Sequence, residues 1–381
     1  MHGRVLRIDC ASGVVSEFPV GEADARKFYL GSGLCAKLML EWPGIDRMDP
    51  CAPEAPLIFM AGLFCGGPLP ASPKLSVCAK QTATGIWNEA TVGGHWPADH
   101  RRTGIDGMVL TGRAPKPVML LVTEEGVELR DASALWGKDT HETDALLRAE
   151  LGPGWRFAMI GQAGENRVAF SSILFDPPNY RVAARGGIGA VMGSKNVKAI
   201  AVRAGRKMLP IADRPLMASL LREQVPKIRE FTLGLHNFGT SGGVEAVEMF
   251  GDLPIKNWQL GSWKEQAKKI AGQTMQPKYL HAHYACNACP IRCAKIYKIP
   301  GGDHIGHGPE YESIAMLGAN CLNDDPEYLV QANHACDVYG MDVMSTGHSI
   351  AFAIEAFERG ILTEKDTGGL KLEWGGRRWS S

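Results

Sequence analysis

The pattern of apolar residues changes close to Arg206, and this change limits the chain to a fold with two unlike parts. Before that point, short apolar segments alternate with glycine- and proline-rich turns, as in β-strands. Strands are predicted at residues 5–9, 14–20, 57–60, 108–110, 118–122, 157–160, 168–174 and 199–202. Two helices are predicted among them, at residues 23–40 and 140–151.

After Arg206, apolar residues recur at helical spacing. Asp213 can cap a helix that has Pro215 in its first turn. Further helices are predicted near residues 310–317, 326–339 and 343–359. The sequence therefore predicts an α+β fold, in which a β-rich domain (residues 1–207) is followed by a mostly α-helical domain (residues 208–381).

The composition argues against several classes of protein. The 381 residues include 41 acidic and 41 basic side chains, so charge does not favour a nucleic acid or an acidic membrane surface as partner. No apolar run approaches the length that crosses a bilayer, and the first residues lack the apolar core of a secretion signal. We therefore expect a cytoplasmic protein whose scattered N-terminal cysteines are small buried hydrophobes.

The strongest local signal is a group of three cysteines, Cys286, Cys289 and Cys293, within eight residues. Three thiolates on one loop can bind three corners of an iron–sulfur cube, and the fourth ligand then comes from elsewhere. A tetrahedral zinc site is the alternative, for which His281 or His283 would supply the fourth ligand. The spacing favours iron–sulfur over zinc.

A glycine-rich segment, residues 185–195, is the second signal. Glycines let backbone N–H groups approach phosphate oxygens, and Arg185 and Lys195 would supply positive charge. The residue order matches neither a P-loop nor a dinucleotide-binding fingerprint. A phosphate site and a tight structural turn are both consistent with this segment. The pair Gly93–Gly94 is a weaker signal of the same kind.

Two acidic segments complete the set of candidates. Glu310 and Glu312 open a predicted helix, where carboxylates are commonly favourable with the helix dipole. Asp337 and Asp342 bracket a helix end, a pattern that capping and solvation commonly explain. Neither segment predicts a function by itself.

Taken together, the order and the amino-acid sequences of these segments resemble the aldehyde:ferredoxin oxidoreductase family of tungsten-pterin enzymes. The resemblance runs nearly end to end, from the opening hairpin to residues 360–363. Its sharpest matches lie at residues 185–195, 286–293, 308–318 and 337–347. Four long motifs in the family's order are far more specific than any one of them.

The resemblance implies tungsten, or molybdenum, held by the dithiolene sulfurs of two molybdopterin-type pterins that lie on the β-rich domain. It also implies that an aldehyde is oxidised to a carboxylic acid and that the electrons pass through a [4Fe–4S] cluster to ferredoxin or a related electron-transfer protein. By position, Cys286, Cys289 and Cys293 would bind the cluster, and Glu312 would be the acid–base group beside the metal.

The same resemblance assigns the remaining cofactor-binding residues. The pterin phosphates, with Mg²⁺ as a further candidate ligand, would be approached by Gly93, Gly94, Arg185, Gly186, Gly187, Gly189 and Ala190. One pterin ring system would be hydrogen-bonded by Asp337, Gly340, Met341 and Asp342. Lys74 stands where the family commonly has an arginine near the pterin, and Thr91 replaces an asparagine at the phosphate region. Lysine keeps the charge and loses the two-pronged geometry of arginine.

Other departures from the family pattern bear on activity. The family's fourth cluster cysteine, a second pterin-binding loop and a histidine near the metal come from a third domain, which we expect to be absent here. Cys321 is the better of two nearby candidates for a substitute ligand, the other being Cys336. Gln331 stands where some members have a glutamate that binds a lone iron between subunits together with the histidine at His334, so a homo-oligomer is left open.

Three functional hypotheses follow. The leading one is a tungsten-pterin enzyme that oxidises aldehydes. A benzoyl-CoA-reductase-type active-site subunit shares the fold and the cofactor, and an inactive fragment with partial cofactor binding is the third.

Overall fold

The chain forms two compact units in the computed structural model, which describes residues 4–205, 209–301 and 305–376. The first unit extends to Ile228 and includes Ala285–Pro290 and Asp337–Met341. The second comprises Arg229–Tyr284, Ile291–Cys336 and the chain from Asp342 onward. The boundary predicted at Lys207 lies outside the described residues.

Twelve strands of the first unit form two six-stranded sheets. In chain order they are β1 (Val5–Asp9), β2 (Val15–Phe18), β3 (Leu57–Ala61), β4 (Leu75–Lys80), β5 (Trp87–Val92), β6 (Gly107–Thr111), β7 (Val118–Val122), β8 (Val127–Asp131), β9 (Arg156–Met159), β10 (Ile173–Phe175), β11 (Arg181–Ala183) and β12 (Val197–Val202). The first sheet has the order β2-β1-β6-β3-β4-β5, and the second has the order β11-β10-β9-β12-β7-β8. Only the pairs β1–β6 and β7–β12 are parallel among these described strands.

The inner strands of the two sheets are buried on both faces, which explains their apolar sequences. Side chains alternate between faces along a strand, so Phe59 and Leu120 point into one core that the two sheets share. Their neighbours Ile58 and Met119 lie in separate clusters on the outer faces. A strand that is buried on both faces reads as a continuous apolar run, as in Val118–Val122.

Some helices pack on the outer faces of these sheets, and others contribute to the shared core. The first unit contains α1 (Glu22–Phe28), α2 (Gly31–Leu40), α3 (Trp96–Arg102), α4 (Thr140–Leu151), α5 (Gln162–Glu165), α6 (Ile188–Ser194) and a short 3₁₀ turn at Ser133–Leu135. The single helix predicted at residues 23–40 is two helices, because Tyr29 and Leu30 adopt left-handed φ angles of 62° and 65°. A capping box between Asp139 and Glu142 starts α4 where the sequence predicts.

The strands that the sequence pattern misses are mostly edge strands. β5, β8 and β11 lie at sheet edges and are only partly buried, so they lack a continuous apolar signature. β10 is shorter than the predicted strand at residues 168–174. A turn in which the Ser171 N–H donates to the Val168 carbonyl at 2.9 Å occupies the first part of that range.

Helices α7 (Arg214–Phe231) to α14 follow, and the second unit also contains a small sheet. The further helices are α8 (Leu233–Phe238), α9 (Val244–Met249), α10 (Lys264–Ile270), α11 (Gly272–Tyr279), α12 (Tyr311–Ser313), α13 (Pro326–Tyr339) and α14 (Val343–Glu358), with 3₁₀ turns at Thr240–Gly243 and Ala319–Cys321 and a π-helical turn at Ile314–Gly318. None of the helices in the described part of the chain combines the length and the apolar character required to cross a membrane.

The expectation that the chain beyond Arg206 is built of helices is wrong around the cysteine motif. Strands β13 (Leu280–Tyr284), β14 (Ala294–Lys298) and β15 (Ile305–His307) form an antiparallel sheet in that order. Tyr284 pairs with Ala294, so the ends of the cysteine loop are joined by a β-ladder. A hairpin fixes both ends of a loop that would otherwise be free.

Candidate cofactor site

Three predicted site residues meet at the turn after β5, within the first unit. A Cβ atom placed on Gly93 would lie 3.1 Å from the Cys286 Sγ atom and 3.7 Å from the Lys74 Nζ atom. Gly93 is buried, whereas Lys74 is exposed. A side chain at this position would crowd the thiol. The turn therefore brings together a predicted phosphate-region glycine, a predicted pterin-region cation and a predicted cluster ligand.

Gly94 is required by the packing of the same turn. Its φ angle is 104°, and an added Cβ atom would overlap the Asp176 carboxylate. Asp176 is buried and accepts hydrogen bonds from the backbone N–H of His95 and, at 3.1 Å, from that of Trp96. Burial raises the pKa of Asp176, and these backbone donors act in the opposite direction. The carboxylate thus fixes the start of α3 directly behind the glycine pair.

The cysteine loop has half-buried thiols, unlike most other cysteines of the chain. Cys286 and Cys289 lie in the first unit, and Cys293 lies in the second. The Cys289 N–H donates to the Cys286 carbonyl at 3.1 Å, which makes a tight turn. The Asn287 N–H donates to the Gly94 carbonyl at 3.0 Å, which joins this loop to the glycine turn.

The histidines of the zinc alternative lie in the second unit. The His283 ring stacks on His236, with ring centroids 5.0 Å apart, and His281 is exposed. Burial and the neighbouring Lys295 lower the pKa of His283. Among residues 4–205, 209–301 and 305–376, no three His, Cys, Asp or Glu side chains are grouped as ligands of one metal ion.

The longer glycine run is a tight structural turn. Arg185, Gly186 and Gly187 have φ angles of 67°, 70° and 75°. A Cβ atom on Gly186 would overlap the Asn88 amide, and one on Gly187 would overlap the Thr82 hydroxyl. The Asn88 Nδ2 atom also donates to the Arg185 carbonyl at 3.1 Å. Packing within the first unit is therefore sufficient to account for these glycines.

Lys195 does not supply charge to this turn, contrary to the sequence-based expectation. Its Nζ atom donates to the carbonyls of Pro53 at 3.2 Å and Ala55 at 2.6 Å. Burial lowers the pKa of Lys195 to about 8. Ala190 is also buried, inside α6, whereas Arg185 is exposed and can face a ligand.

A serine pair that the sequence analysis missed joins two of the predicted cofactor segments. The Ser171 carbonyl accepts from the Gly189 N–H at 3.1 Å, and the Ser172 N–H donates to the Gly340 carbonyl at 2.8 Å. Ser171 also forms a β-bridge with Met341. Both hydroxyls are buried and have no hydrogen-bond partner in the described part of the chain. Only this proximity marks the pair, because two serines within the predicted strand at residues 168–174 carry no distinctive pattern.

The two aspartates that bracket the end of α13 have different roles. In the first unit, the Asp337 carbonyl accepts from the Thr140 hydroxyl at 3.0 Å. In the second unit, Asp342 caps α14 and accepts from the Ser345 N–H at 2.9 Å and the Ser345 hydroxyl at 2.7 Å. Capping therefore accounts for the Oδ2 atom of Asp342.

Thr91, in the predicted phosphate region, contacts a carboxylate. Its hydroxyl donates to Glu89 Oε1 at 3.0 Å, and Ser76 donates to the same oxygen at 2.9 Å. Thr91 is exposed, whereas Ser76 is buried.

In the second unit, Glu312 differs from its neighbour Glu310. Glu310 lies 3.1 Å from the His307 Nε2 atom and accepts from the Thr240 hydroxyl at 3.4 Å. Glu312 is half-buried, and no residue in the described ranges donates a hydrogen bond to its carboxylate. The helix of Glu312 continues into the π-helical turn Ile314–Gly318, a conformation that is frequent at functional sites.

Cys321 is a poor candidate for a substitute cluster ligand. Its thiol is buried and donates to the carbonyls of Met316 at 3.3 Å and Gly347 at 3.5 Å. Burial raises the pKa of Cys321 to about 12. Because metal ligation requires the thiolate, this environment disfavours it. Cys336 is buried as well.

Comparison with known protein families covers almost the whole chain. Residues 5–204 match the N-terminal domain of aldehyde ferredoxin oxidoreductase, and residues 218–378 match its domains 2 and 3. The chain belongs to the aldehyde ferredoxin oxidoreductase family. The family and the α+β fold that the sequence predicts are thereby confirmed.

Individual relatives of this aldehyde ferredoxin oxidoreductase family member agree with the assignment. The chain is 39% identical over 378 residues to the tungsten-containing aldehyde ferredoxin oxidoreductase of Thermococcus kodakarensis, and 38% identical to that of Pyrococcus furiosus. These alignments cover 98% of this chain and 62% of each relative, so the chain spans less than two thirds of their length. A solved structure, the active site complex BamBC of benzoyl coenzyme A reductase with 1,5-dienoyl-CoA, matches with a TM-score of 0.85 and 27% identity, over 98% of this chain and 58% of that one.

Proposed function

We propose that the protein is a tungsten-pterin oxidoreductase that oxidises an aldehyde to a carboxylic acid and passes the electrons through a [4Fe–4S] cluster to ferredoxin. The observation that carries the proposal is the meeting of Gly93, Lys74 and Cys286 in the first unit. The relatives that are named tungsten-containing aldehyde ferredoxin oxidoreductases support it.

The residues at this turn fit an anionic cofactor beside an iron–sulfur cluster. Lys74 is exposed. The other lysine considered for phosphate binding, Lys195, donates hydrogen bonds to two backbone carbonyls. Gly93 presents backbone without a side chain. Cys286 is a free, half-buried thiol that is accessible to an iron–sulfur cluster.

The proposal assigns each remaining site residue by the family's motif order. The pterin phosphates, with Mg²⁺, would be approached by Thr91, Gly94, Arg185, Gly186, Gly187, Gly189 and Ala190. One pterin ring system would be bonded by Asp337, Gly340, Met341 and Asp342. The cluster would be bound by Cys286, Cys289 and Cys293 with a fourth ligand. We also propose that residues 1–207 form the base domain for the pterins, ahead of a helical domain from residue 208.

The proposed reaction balances as one aldehyde and one water giving one carboxylic acid, two protons and two electrons. Two ferredoxins accept one electron each. When bound, the metal–pterin group supplies two-electron chemistry and the cluster supplies one-electron transfer. Glu312 would take a proton from the attacking oxygen nucleophile, because its carboxylate is half-buried and not engaged by other described residues.

A benzoyl-CoA-reductase-type activity is the second candidate. The TM-score of 0.85 to the BamBC complex favours it. The identity is higher to the aldehyde enzymes, at 39% against 27%, so aldehyde oxidation is the stronger proposal.

Elemental analysis of the anaerobically purified protein tests the proposal. We expect tungsten and about four irons per chain, with little zinc, followed by aldehyde-dependent reduction of ferredoxin. Cys289→Ser should remove the iron, whereas Cys51→Ser, at a half-buried cysteine outside the motif, should not.

Zinc without iron would contradict the cluster. Iron and tungsten with activity only on an aromatic acyl-CoA would favour the second candidate, and absence of both metals would indicate an inactive chain.

A further inference from the structure

We propose that Arg102 is a positioning residue for the cysteine loop, which it holds through Asn287, the residue next to the ligand Cys286. The inference rests on the proposed function, because it concerns the same iron–sulfur site. All three residues lie in the first unit. Neither the sequence motifs nor the resemblance points to Arg102.

Asn287 is fixed at two points. Its N–H donates to the Gly94 carbonyl at 3.0 Å, and its Oδ1 atom accepts from the Arg102 Nη2 atom at 3.2 Å. The first contact ties the backbone directly after Cys286 to the glycine turn. The second prevents the Asn287 side chain from turning away. Because Cys286 Sγ lies 3.1 Å from the Cβ position of Gly93, a small shift of this loop changes where the thiol points.

The guanidinium of Arg102 is itself held by a chain of alternating charges. Its Nη1 atom donates to Asp99 Oδ1 at 3.2 Å, and the Arg156 Nε atom donates to the other Asp99 oxygen at 2.5 Å. Arg156 Nη1 lies 3.9 Å from Asp176 Oδ1. The Asp176 carboxylate packs against Gly94, so the chain of charges leads back to the turn that holds Asn287.

The geometry requires arginine. One guanidinium bonds Asp99 and Asn287 through different nitrogens, and its planar fork fixes the angle between the two bonds. The Arg102 side chain is 28% exposed, so the contact is partly shielded from water. Residues that orient a metal ligand in this way commonly change metal retention when they are replaced.

The test is the rate at which a ferrous chelator removes iron from the anaerobically purified protein, with the electron paramagnetic resonance spectrum of the reduced cluster as second readout. In Arg102→Met we expect iron loss on the order of tenfold faster and a changed spectrum. Asn287→Ala should give the same effect, and the double variant should be no worse than either single one, because both changes break one contact.

Two further variants separate positioning from charge and from general stability. Arg102→Lys keeps the charge and should not restore slow iron loss, because one ammonium cannot reproduce the fork. Arg130→Met removes another arginine of the first unit that pairs with carboxylates, and should leave iron loss unchanged.

Wild-type rates and spectra in both Arg102→Met and Asn287→Ala would overturn the inference while leaving the proposed function intact. Full restoration by Arg102→Lys would also overturn it, because charge alone would then explain the effect. A wild-type protein that contains no iron would overturn the proposed function, and the inference with it.

Discussion

The two glycine segments of the first unit, residues 185–195 and Gly93–Gly94, differ in which groups lie next to the glycines. At residues 186 and 187, the space that a Cβ atom would take is filled by Asn88 and Thr82, which belong to the same packed unit. At Gly93 the space faces the Cys286 thiol and the Lys74 ammonium. Packing thus accounts for the absence of side chains at residues 186 and 187. At the shorter pair, a thiol and an ammonium group lie next to Gly93.

The same distinction separates similar side chains elsewhere. Lys195 is buried and bonded to carbonyls, whereas Lys74 is exposed. Glu310 is bonded to His307 and Thr240, whereas Glu312 has no such partner among the described residues. A residue whose polar groups the protein already satisfies is structural. A residue left unsatisfied beside a site is a candidate for function.

The largest expected effect is at Glu312. Glu312→Gln should lower the rate of the proposed aldehyde oxidation roughly 10²- to 10⁴-fold, because glutamine cannot take a proton. The metal content should stay at the wild-type level. Steady-state kinetics with elemental analysis would measure this. The matched variant Glu310→Gln should lose far less activity, and equal losses in both variants would break the distinction between them.

Gly187→Ala should show the next largest effect, on stability. The added methyl group overlaps Thr82, and a φ angle of 75° is unfavourable for alanine, so we expect a loss on the order of 3 kcal/mol in the free energy of unfolding. Chemical denaturation would measure it. Gly21→Ala, where nothing lies within 4 Å of the added Cβ atom, is the control and should be close to neutral. Wild-type stability of Gly187→Ala would show that packing does not require glycine at this position.

How far the sequence predicts this molecule depends on which interactions are local. Helix α4 and strand β7 end where the sequence predicts, because the capping box and the apolar run that define them lie within the elements. The edge strand β5 is missed although its hairpin partner β4 directly precedes it, because β5 is only partly buried and lacks a continuous apolar run.

For the site, residue type and spacing identify the cysteine motif, and the structure adds what each residue touches. Nothing in the local sequence around Lys195 reveals that Pro53 and Ala55 bind its ammonium. Arg102 and Ser171 likewise become candidate site residues only through their contacts with distant segments. Long-range contacts of this kind are absent from any local pattern.

The titration of Lys195 should have a smaller effect, on the pH dependence of the free energy of unfolding. Burial lowers its pKa in the folded protein to about 8 from the usual 10.5, so the unfolded chain binds more protons between these values. Stability should therefore rise with pH in this window, by about 2 kcal/mol between pH 8 and pH 10. Lys195→Met should lack this contribution. Denaturation curves of both proteins across the window would show it as a difference in the pH dependence of stability, and equal pH dependences would mean that folding leaves the pKa of Lys195 unchanged.

Gly93→Ala should have the smallest effect and the most informative one. The added methyl group would lie 3.1 Å from Cys286 Sγ without a strained φ angle, so the thiol must shift by a few tenths of an ångström. A strain of about 1 kcal/mol should leave unfolding nearly unchanged and speed the loss of iron to a chelator about fivefold. Gly21→Ala again serves as the control. If Gly93→Ala instead loses as much free energy of unfolding as Gly187→Ala and retains its iron normally, Gly93 is a packing residue like Gly187 and does not adjoin the cluster.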